Sequence, residues 1–310
     1  MARADLSLGG LTRYYRQSST LQKVLFAVGT LLLVVMVFHL AALLLTRGPL
    51  SGPVSLRKPA TFAETGWLLC WSVGWLLPLV RLRPWEKGFV AAGALLFGVG
   101  ETLVAAIQAW RGVPFHYYVP TPFDNVVFGF AGIDAAVFLA SVLVLLRASM
   151  RRQELAPSLL LAVRLGTIIL FIGTLTGVLM ILNWSGVWQG GPPNVFRSGF
   201  DTDDANFSEG VAGGNLVVIH AVGVHGLSLM LLPAWLLTLS RLREGSRVRL
   251  TAAVGAATLA GLAVLSVAAL TLKPLGDLDL WVGVLLGVTL VGFFWAYLLV
   301  GWAAFRGLTA

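Results

Sequence analysis

The chain is poor in charge. Asp, Glu, Lys and Arg make up 12% of its 310 residues, whereas a soluble domain carries about 25%. Hydrophobic residues make up 57%, and the mean hydropathy is +0.86. Too few charges remain to cover a surface in water, which excludes a soluble globular enzyme, a disordered protein and a coiled coil. The composition predicts an all-α integral membrane protein that crosses the bilayer several times.

Cysteine and acidic residues are also scarce. The one cysteine, Cys70, lies in an apolar run, so an intrachain disulfide and cysteine-based metal motifs are excluded. Acidic residues number 14 against 22 Lys and Arg, which leaves a net charge of +8. In a soluble protein this excess would suggest nucleic acid. Membrane proteins collect Lys and Arg on the cytoplasmic side, so no nucleic-acid partner is expected here.

Long apolar runs predict eight transmembrane helices. A span needs about 20 apolar residues. The runs that satisfy this are 24–46, 63–82, 88–110, 125–148, 157–183, 215–239, 250–272 and 281–305. Lys and Arg concentrate in alternate connections, starting with the N-terminal segment, which predicts that both termini are cytoplasmic. The longest connection, 184–214, then lies outside.

The eight spans divide into two similar sets of four. Residues 75–83, at the end of the second span, and residues 235–243, at the end of the sixth, differ only at Pro78/Thr238 and Val80/Ser240. We therefore predict two tandem four-helix halves with the same orientation, 1–155 and 156–310. The alternative is a chance similarity between leucine-rich spans that end in arginine.

Two carboxylates lie deep in the predicted spans. Counting about 1.5 Å per residue from Trp110 puts Glu101 roughly 14 Å below the outer surface, and Asp134 in span four lies at a similar depth. Gln108 and Arg111 follow Glu101 at i+7 and i+10, so the three form one stripe on the helix. Because intramembrane carboxylates are expensive and often functional, Glu101 and Asp134 are predicted to serve a proton, metal or substrate site. Simple hydrogen bonding to a neighbouring helix is the alternative.

Four histidines lie in or just above the predicted outer halves of the spans. They are His39, His116, His220 and His225. Imidazole binds Fe, Cu and Zn, and one histidine from each of two helices can hold haem b. The sequence therefore predicts haem b or a transition metal (Fe, Cu or Zn), with His39 and His220 as the depth-matched pair. Gly223 and Gly226 beside His225 would let either a flat group or another helix approach closely.

Three basic residues outside the membrane could hold an anionic group. Arg57, Lys58 and Arg111 run against the positive-inside trend, and could bind a propionate, phosphate or carboxylate of a cofactor or substrate. Pairing with the acidic outer loop or with lipid headgroups is the alternative. Asp124 is expected either to cap span four or to pair with Arg111.

Four motifs resemble those of a family of uncharacterised bacterial multispanning membrane proteins. They are Gly-Pro-Val-Ser-x-Arg-Lys-Pro (52–59), Arg-Gly-Val-Pro-x-His (111–116), Thr-Pro-Phe-Asp (121–124) and His-x-x-Gly-x-His (220–225). The resemblance covers spans one to six and implies a bacterial inner membrane, although the loop 184–214 is longer and more acidic here. The plan is also similar to haem A synthase, but that family's histidines lie on even-numbered spans, and spans two, four and eight have none here.

These features favour a membrane redox, metal- or haem-binding protein with a polar His/Glu site near the extracytoplasmic face. Whether it is an enzyme is left open. One alternative is a proton-coupled small-molecule transporter, against which no span is clearly broken by glycine and proline. Another is a structural or accessory subunit of a membrane complex. The expected partners are the lipid bilayer and either a second membrane protein or another copy of the chain.

Overall fold

The computed structural model describes residues 8–50, 54–115, 118–184, 216–270 and 278–309. All regular structure in these ranges is α-helical, in agreement with the predicted fold class. The helices are α1 (Leu8–Gln17), α2 (Thr20–Thr46), α3 (Arg57–Leu76), α4 (Pro84–Trp110), α5 (Pro122–Ser149), α6 (Pro157–Trp184), α7 (Leu216–Val224), α8 (Gly226–Leu239), α9 (Glu244–Leu270) and α10 (Leu280–Thr309).

Six of the described helices are long and apolar enough to cross a membrane. They are α2, α4, α5, α6, α9 and α10. The pair α7 and α8 would form a seventh span, bent by 41°. The 20-residue helix α3 carries Arg57, Lys58 and Glu64 and is less apolar. The chain is therefore a multi-pass helical membrane protein by length and composition, and the count of eight spans stays a prediction.

The second predicted span, 63–82, differs from the helix that forms there. Helix α3 begins at Arg57 and ends at Leu76, and residues 77–83 form a turn. Pro78 has no N–H and so cannot continue the hydrogen-bond ladder to the carbonyl of Gly74. The Gln22 side-chain amide of α2 donates to that carbonyl instead, at 3.0 Å. The apolar residues beyond Leu76 conceal this helix end in the sequence.

Helices α2 to α5 pack in chain order, each against the next. In the second part of the chain, α6 packs against α7, α8 and α9, and α10 packs against α8 and α9. Contacts between the two parts run through α5 with α6 and through α3 with α8. This arrangement is compatible with halves 1–155 and 156–310, and their origin by duplication stays a prediction.

Close approach of α6 to α7 and α8 depends on glycine. A Cβ added at Gly223 would lie 2.3 Å from the Cα of Gly173, and one added at Gly226 would lie 2.5 Å from the backbone nitrogen of Leu170. Of the two predicted reasons for Gly223 and Gly226, approach of a flat group or approach of another helix, the second therefore applies. The space beside these two glycines is filled by the backbone of α6 rather than left for a flat group.

Ion pairs join the ends of α4 and α5 on the side predicted to be cytoplasmic. Arg151 donates two hydrogen bonds, of 2.6 and 2.8 Å, to the carboxylate of Glu86, which is 2% exposed. These bonds raise the pKa of Arg151 above its usual value.

The start of α6 is capped from another helix. Glu244 of α9 accepts the backbone N–H of Ser158 at 2.7 Å.

Candidate functional site

Helices α4 and α5 bring the two predicted carboxylates together. Glu101 is 6% exposed and Asp134 is 4% exposed, and their helices pack against each other. Both carboxylate oxygens of Asp134 are buried and have no hydrogen-bond partner within the described residues. A buried, unpaired carboxyl group is unfavourable and calls for a proton or another cation.

Gly100 allows Asp134 to reach the surface of α4. A Cβ added at Gly100 would lie 2.5 Å from Oδ2 of Asp134, so any side chain there would displace the carboxyl group. The backbone of α4 therefore forms one wall of the site. The glycine next to Glu101 is the local sequence feature that makes this close approach possible.

On the Arg151 side, two stacked aromatic rings close the carboxyl site. The ring centroids of Phe97 and Phe138 lie 4.2 Å apart with an interplanar angle of 18°, and both side chains are buried. Beyond the stack, Ser141 packs directly against Gly93, where an added Cβ would lie 2.2 Å from its Oγ. This side of the site is apolar and tightly packed.

On the opposite side, a small apolar cluster separates the carboxyl site from the helix ends. It consists of Val104, Ala105, Phe115, Val127 and Ala131. Phe115 lies in the segment that follows α4 and contacts Phe62 of α3 edge-on, at 4.8 Å between ring centroids. The aliphatic members of this cluster are small, and its aromatic member is carried by a loop.

Beyond this cluster, a polar network joins the ends of α4 and α5. Arg111 donates to the Asp124 carboxylate at 2.6 Å and to the Gln108 amide oxygen at 2.5 Å. Thr121 donates to the second oxygen of Asp124 at 2.5 Å, and its own Oγ1 accepts the backbone N–H of Asp124. Asp124 thus both pairs with Arg111 and belongs to the cap of α5. The guanidinium predicted to bind an anionic cofactor is already neutralised by this pair.

The other two basic residues predicted to bind an anion lie at the start of α3. The Arg57 side chain donates to the carbonyl of Leu50 at 2.8 Å. Lys58 is 3% exposed. Neither observation tests a cofactor role, so the role of Arg57 and Lys58 stays a prediction.

His39 has a hydrogen bond at each ring nitrogen. Trp110 can only donate, so Nε2 of His39 accepts its N–H, at 3.2 Å. Nδ1 then carries the proton and donates to the carbonyl of Val35 at 2.9 Å. A metal ion at Nε2 would first have to displace Trp110. Helix α2 packs on α3 and α4, whereas α7, which carries His220, packs on α6 and α9.

His220 has a different environment. Its Nδ1 lies 2.8 Å from the carbonyl of Gly173, so this nitrogen carries the proton and Nε2 keeps its lone pair. The ring lies against Gly177, where an added Cβ would be 2.8 Å from Cε1. A histidine held at Nδ1 by a backbone carbonyl is a common arrangement for metal ligands and for neutral proton acceptors.

His225 interrupts the sixth predicted span. It has φ −84° and ψ 3° and separates α7 from α8. Helix α8, which begins directly after His225, contacts α3, the helix that carries Glu64. The sequence predicted no span broken by glycine and proline, and this break lies at a histidine instead. The sequence analysis did not single out Glu64. Its position as an acidic residue inside the predicted span 63–82 could have identified it.

Several predicted site features lie outside the described residues. They are His116, Gly52, Pro53 and the loop 184–214, apart from Trp184. Within the ranges that the structure covers, no three His, Cys, Asp or Glu side chains are grouped so that they could hold a metal ion. The metal and haem assignments remain predictions.

The chain is thus a helical multi-pass membrane protein with two buried carboxyl groups on neighbouring helices and a histidine, His225, at the break between α7 and α8. Comparison with known proteins finds no matching family model, no similar curated protein and no similar solved structure.

Proposed function

We propose that the protein is a proton-coupled membrane carrier in which Glu101 and Asp134 bind the proton. The observation that carries the proposal is the Asp134 carboxyl group, which is buried beside Glu101 without a hydrogen-bond partner in the described chain. Intramembrane carboxyl groups with these properties mark proton relays in pumps and transporters. A purely structural carboxylate would instead be expected to accept hydrogen bonds, as Asp124 does.

The broken span supports the same proposal. Many carriers bind their cargo near the bilayer midplane, where a discontinuous helix meets the other half of the protein. His225 lies at such a break, and α3, which carries Glu64, contacts α8 directly after it. If residues 75–83 and 235–243 are aligned as repeats, His225 matches Thr65, the neighbour of Glu64. The two polar groups would then come from nearly equivalent positions of the two halves.

The proposal includes the finer points of topology. The chain would cross a bacterial inner membrane eight times, with both termini in the cytoplasm and with α3 and the bent pair α7–α8 among the spans. The Arg111 end of α4 would then face outward and the Glu86 end inward. Concentration of Lys and Arg in alternate connections supports this orientation.

The direct test is proton movement in proteoliposomes. Vesicles loaded with a pH-sensitive dye receive an acid pulse outside, first alone and then with amino acids, organic acids, sugars or amines added. We expect acidification inside to exceed that of protein-free vesicles in at least one condition. The Glu64→Gln variant should weaken the response to an added solute, because it removes the carboxyl group of α3, the helix that contacts α8 after the break. Acidification equal to that of protein-free vesicles in every condition would argue against a carrier.

A redox or haem-binding function is a second candidate, favoured by His220. Its Nδ1 is oriented by the Gly173 carbonyl while Nε2 keeps its lone pair. A reduced-minus-oxidised spectrum of the purified protein is the test. Haem bands that disappear in His220→Ala and persist in His39→Ala would support this candidate, because Nε2 of His39 is already bonded to Trp110. A flat spectrum would exclude haem and leave the carrier as the better proposal.

A further inference from the structure

The carboxyl site between α4 and α5 has two unlike ends. Toward Arg151 it is closed by the Phe97–Phe138 stack, whose two rings both belong to helices. Toward Arg111 it is closed by small aliphatic side chains and by Phe115, which a loop carries. The first barrier therefore needs a larger displacement to open than the second, whose aliphatic members on α4 and α5 are small.

The two ends also lie at different distances from the carboxyl pair. Ten residues separate Glu101 from Arg111, about 15 Å along a helix, whereas Glu86 lies fifteen residues away on the other side, about 22 Å. Gln108 is buried on the short side, on the same helical stripe as Glu101 and Arg111, and it accepts a hydrogen bond from Arg111. Polar groups therefore extend toward Glu101 from the Arg111 end.

We infer that Arg111, Asp124 and Gln108 form the entrance through which protons reach Glu101 and Asp134, and that this entrance is closed in the present structure. The Phe97–Phe138 stack and the Glu86–Arg151 pair seal the other end. This inference rests on the proposed carrier function and adds positioning residues to it. Arg111 and Asp124 do not bind the transported proton themselves. They hold the ends of α4 and α5 together above the site.

The geometry of the network suits this role. Arg111 is the most exposed member, with 35% of its side chain accessible, while Asp124 is fully buried. The guanidinium also lies over the ring of Phe123, at 4.7 Å. Loss of the Arg111–Asp124 pair would free the start of α5 from the end of α4. Water could then enter the layer of Val104, Ala105, Val127 and Ala131.

Carbodiimide labelling tests the entrance without requiring transport. A water-soluble carbodiimide is added to the full-length protein in detergent, so that both ends are accessible, and modification of Asp134 and Glu101 is measured by mass spectrometry. The exposed carboxylate of Glu154 serves as internal reference. We expect slow modification of Asp134 in the wild type and a several-fold increase in Arg111→Gln and in Asp124→Asn.

The matched control breaks the ion pair at the other end. Arg151→Gln should leave the labelling of Asp134 unchanged, because the Phe97–Phe138 stack still closes that side. Equal increases from both ends, an increase from Arg151→Gln alone, or no increase from either Arg111→Gln or Asp124→Asn would each overturn the inference. Melting curves identify a variant that fails to fold, in which case the other variant of the Arg111–Asp124 pair decides.

The labelling result is independent of the proposed function. If the vesicles show no proton movement but Arg111→Gln and Asp124→Asn increase labelling, the carrier proposal fails and the entrance stands. If proton movement is present but labelling responds equally at both ends, the carrier stands and the entrance is wrong.

Discussion

Proton movement is expected to disappear in the Asp134→Asn variant. The amide has nearly the same size as the carboxyl group but cannot release or accept a proton in the same range, so the central step of the proposed cycle is lost. The measurement is internal acidification of proteoliposomes after an acid pulse, compared with protein-free vesicles. The rate should fall to that of the protein-free vesicles.

The same variant should fold at least as well as the wild type. A charged Asp at the centre of a transmembrane helix is unfavourable by about 2.5–3.5 kcal/mol on insertion scales, and Asn removes that charge. The control is Glu154→Gln, the same chemical change at a carboxylate that is 79% exposed, which should leave proton movement intact. Wild-type rates in Asp134→Asn would show that this carboxyl group does not carry the proton.

A large loss of stability is expected from one methyl group at Gly223. Its Cβ would lie 2.3 Å from the Cα of Gly173 and 3.2 Å from the carbonyl oxygen of Ile169. Because these are backbone atoms, α6 and α7 must move apart, and overpacking of this kind typically destabilises by about 1–3 kcal/mol. A lower midpoint in thermal unfolding of Gly223→Ala in detergent would report the loss.

Gly283→Ala provides the matched comparison. Nothing lies within 4 Å of a Cβ added at Gly283 in α10. Alanine is favoured over glycine inside a helix by roughly 0.5–1 kcal/mol, so this variant should melt at the same temperature or slightly higher. Equal losses at Gly223 and Gly283 would contradict the close packing of α6 against α7.

The sequence predicts a helical span well where the apolar run and the helix have nearly the same bounds. It predicts the ends of α4 and α5 to within four residues, because the apolar runs 88–110 and 125–148 cover most of each helix. It fails at the end of α3, because residues 77–80 are apolar but not helical. The interruption at His225 is also hidden, since the segment around it stays apolar and no proline lies at the break.

The candidate site could be predicted in part. Glu101 and Asp134 were identified by depth alone, and the structure brings them together because their helices are neighbours in chain and in space. The proximity of α3, which carries Glu64, to the broken span could not be derived, because it depends on α3 contacting α8. Depth along a helix can be read from a sequence, whereas the order of helices around a bundle cannot.

The pairing of α4 and α5 at both ends has a mechanical consequence. Glu86–Arg151 at one end and Arg111–Asp124 at the other hold α4 and α5 together. The two helices therefore tilt or rotate as a unit. When one ion pair is released, the two helices can separate at that end, while the Phe97–Phe138 stack still holds them together in the middle. The carboxyl pair lies between the stack and the Arg111 end of the helices, so a small separation of those helix ends reaches it directly. Separation at the other end is stopped at the stack and does not reach it.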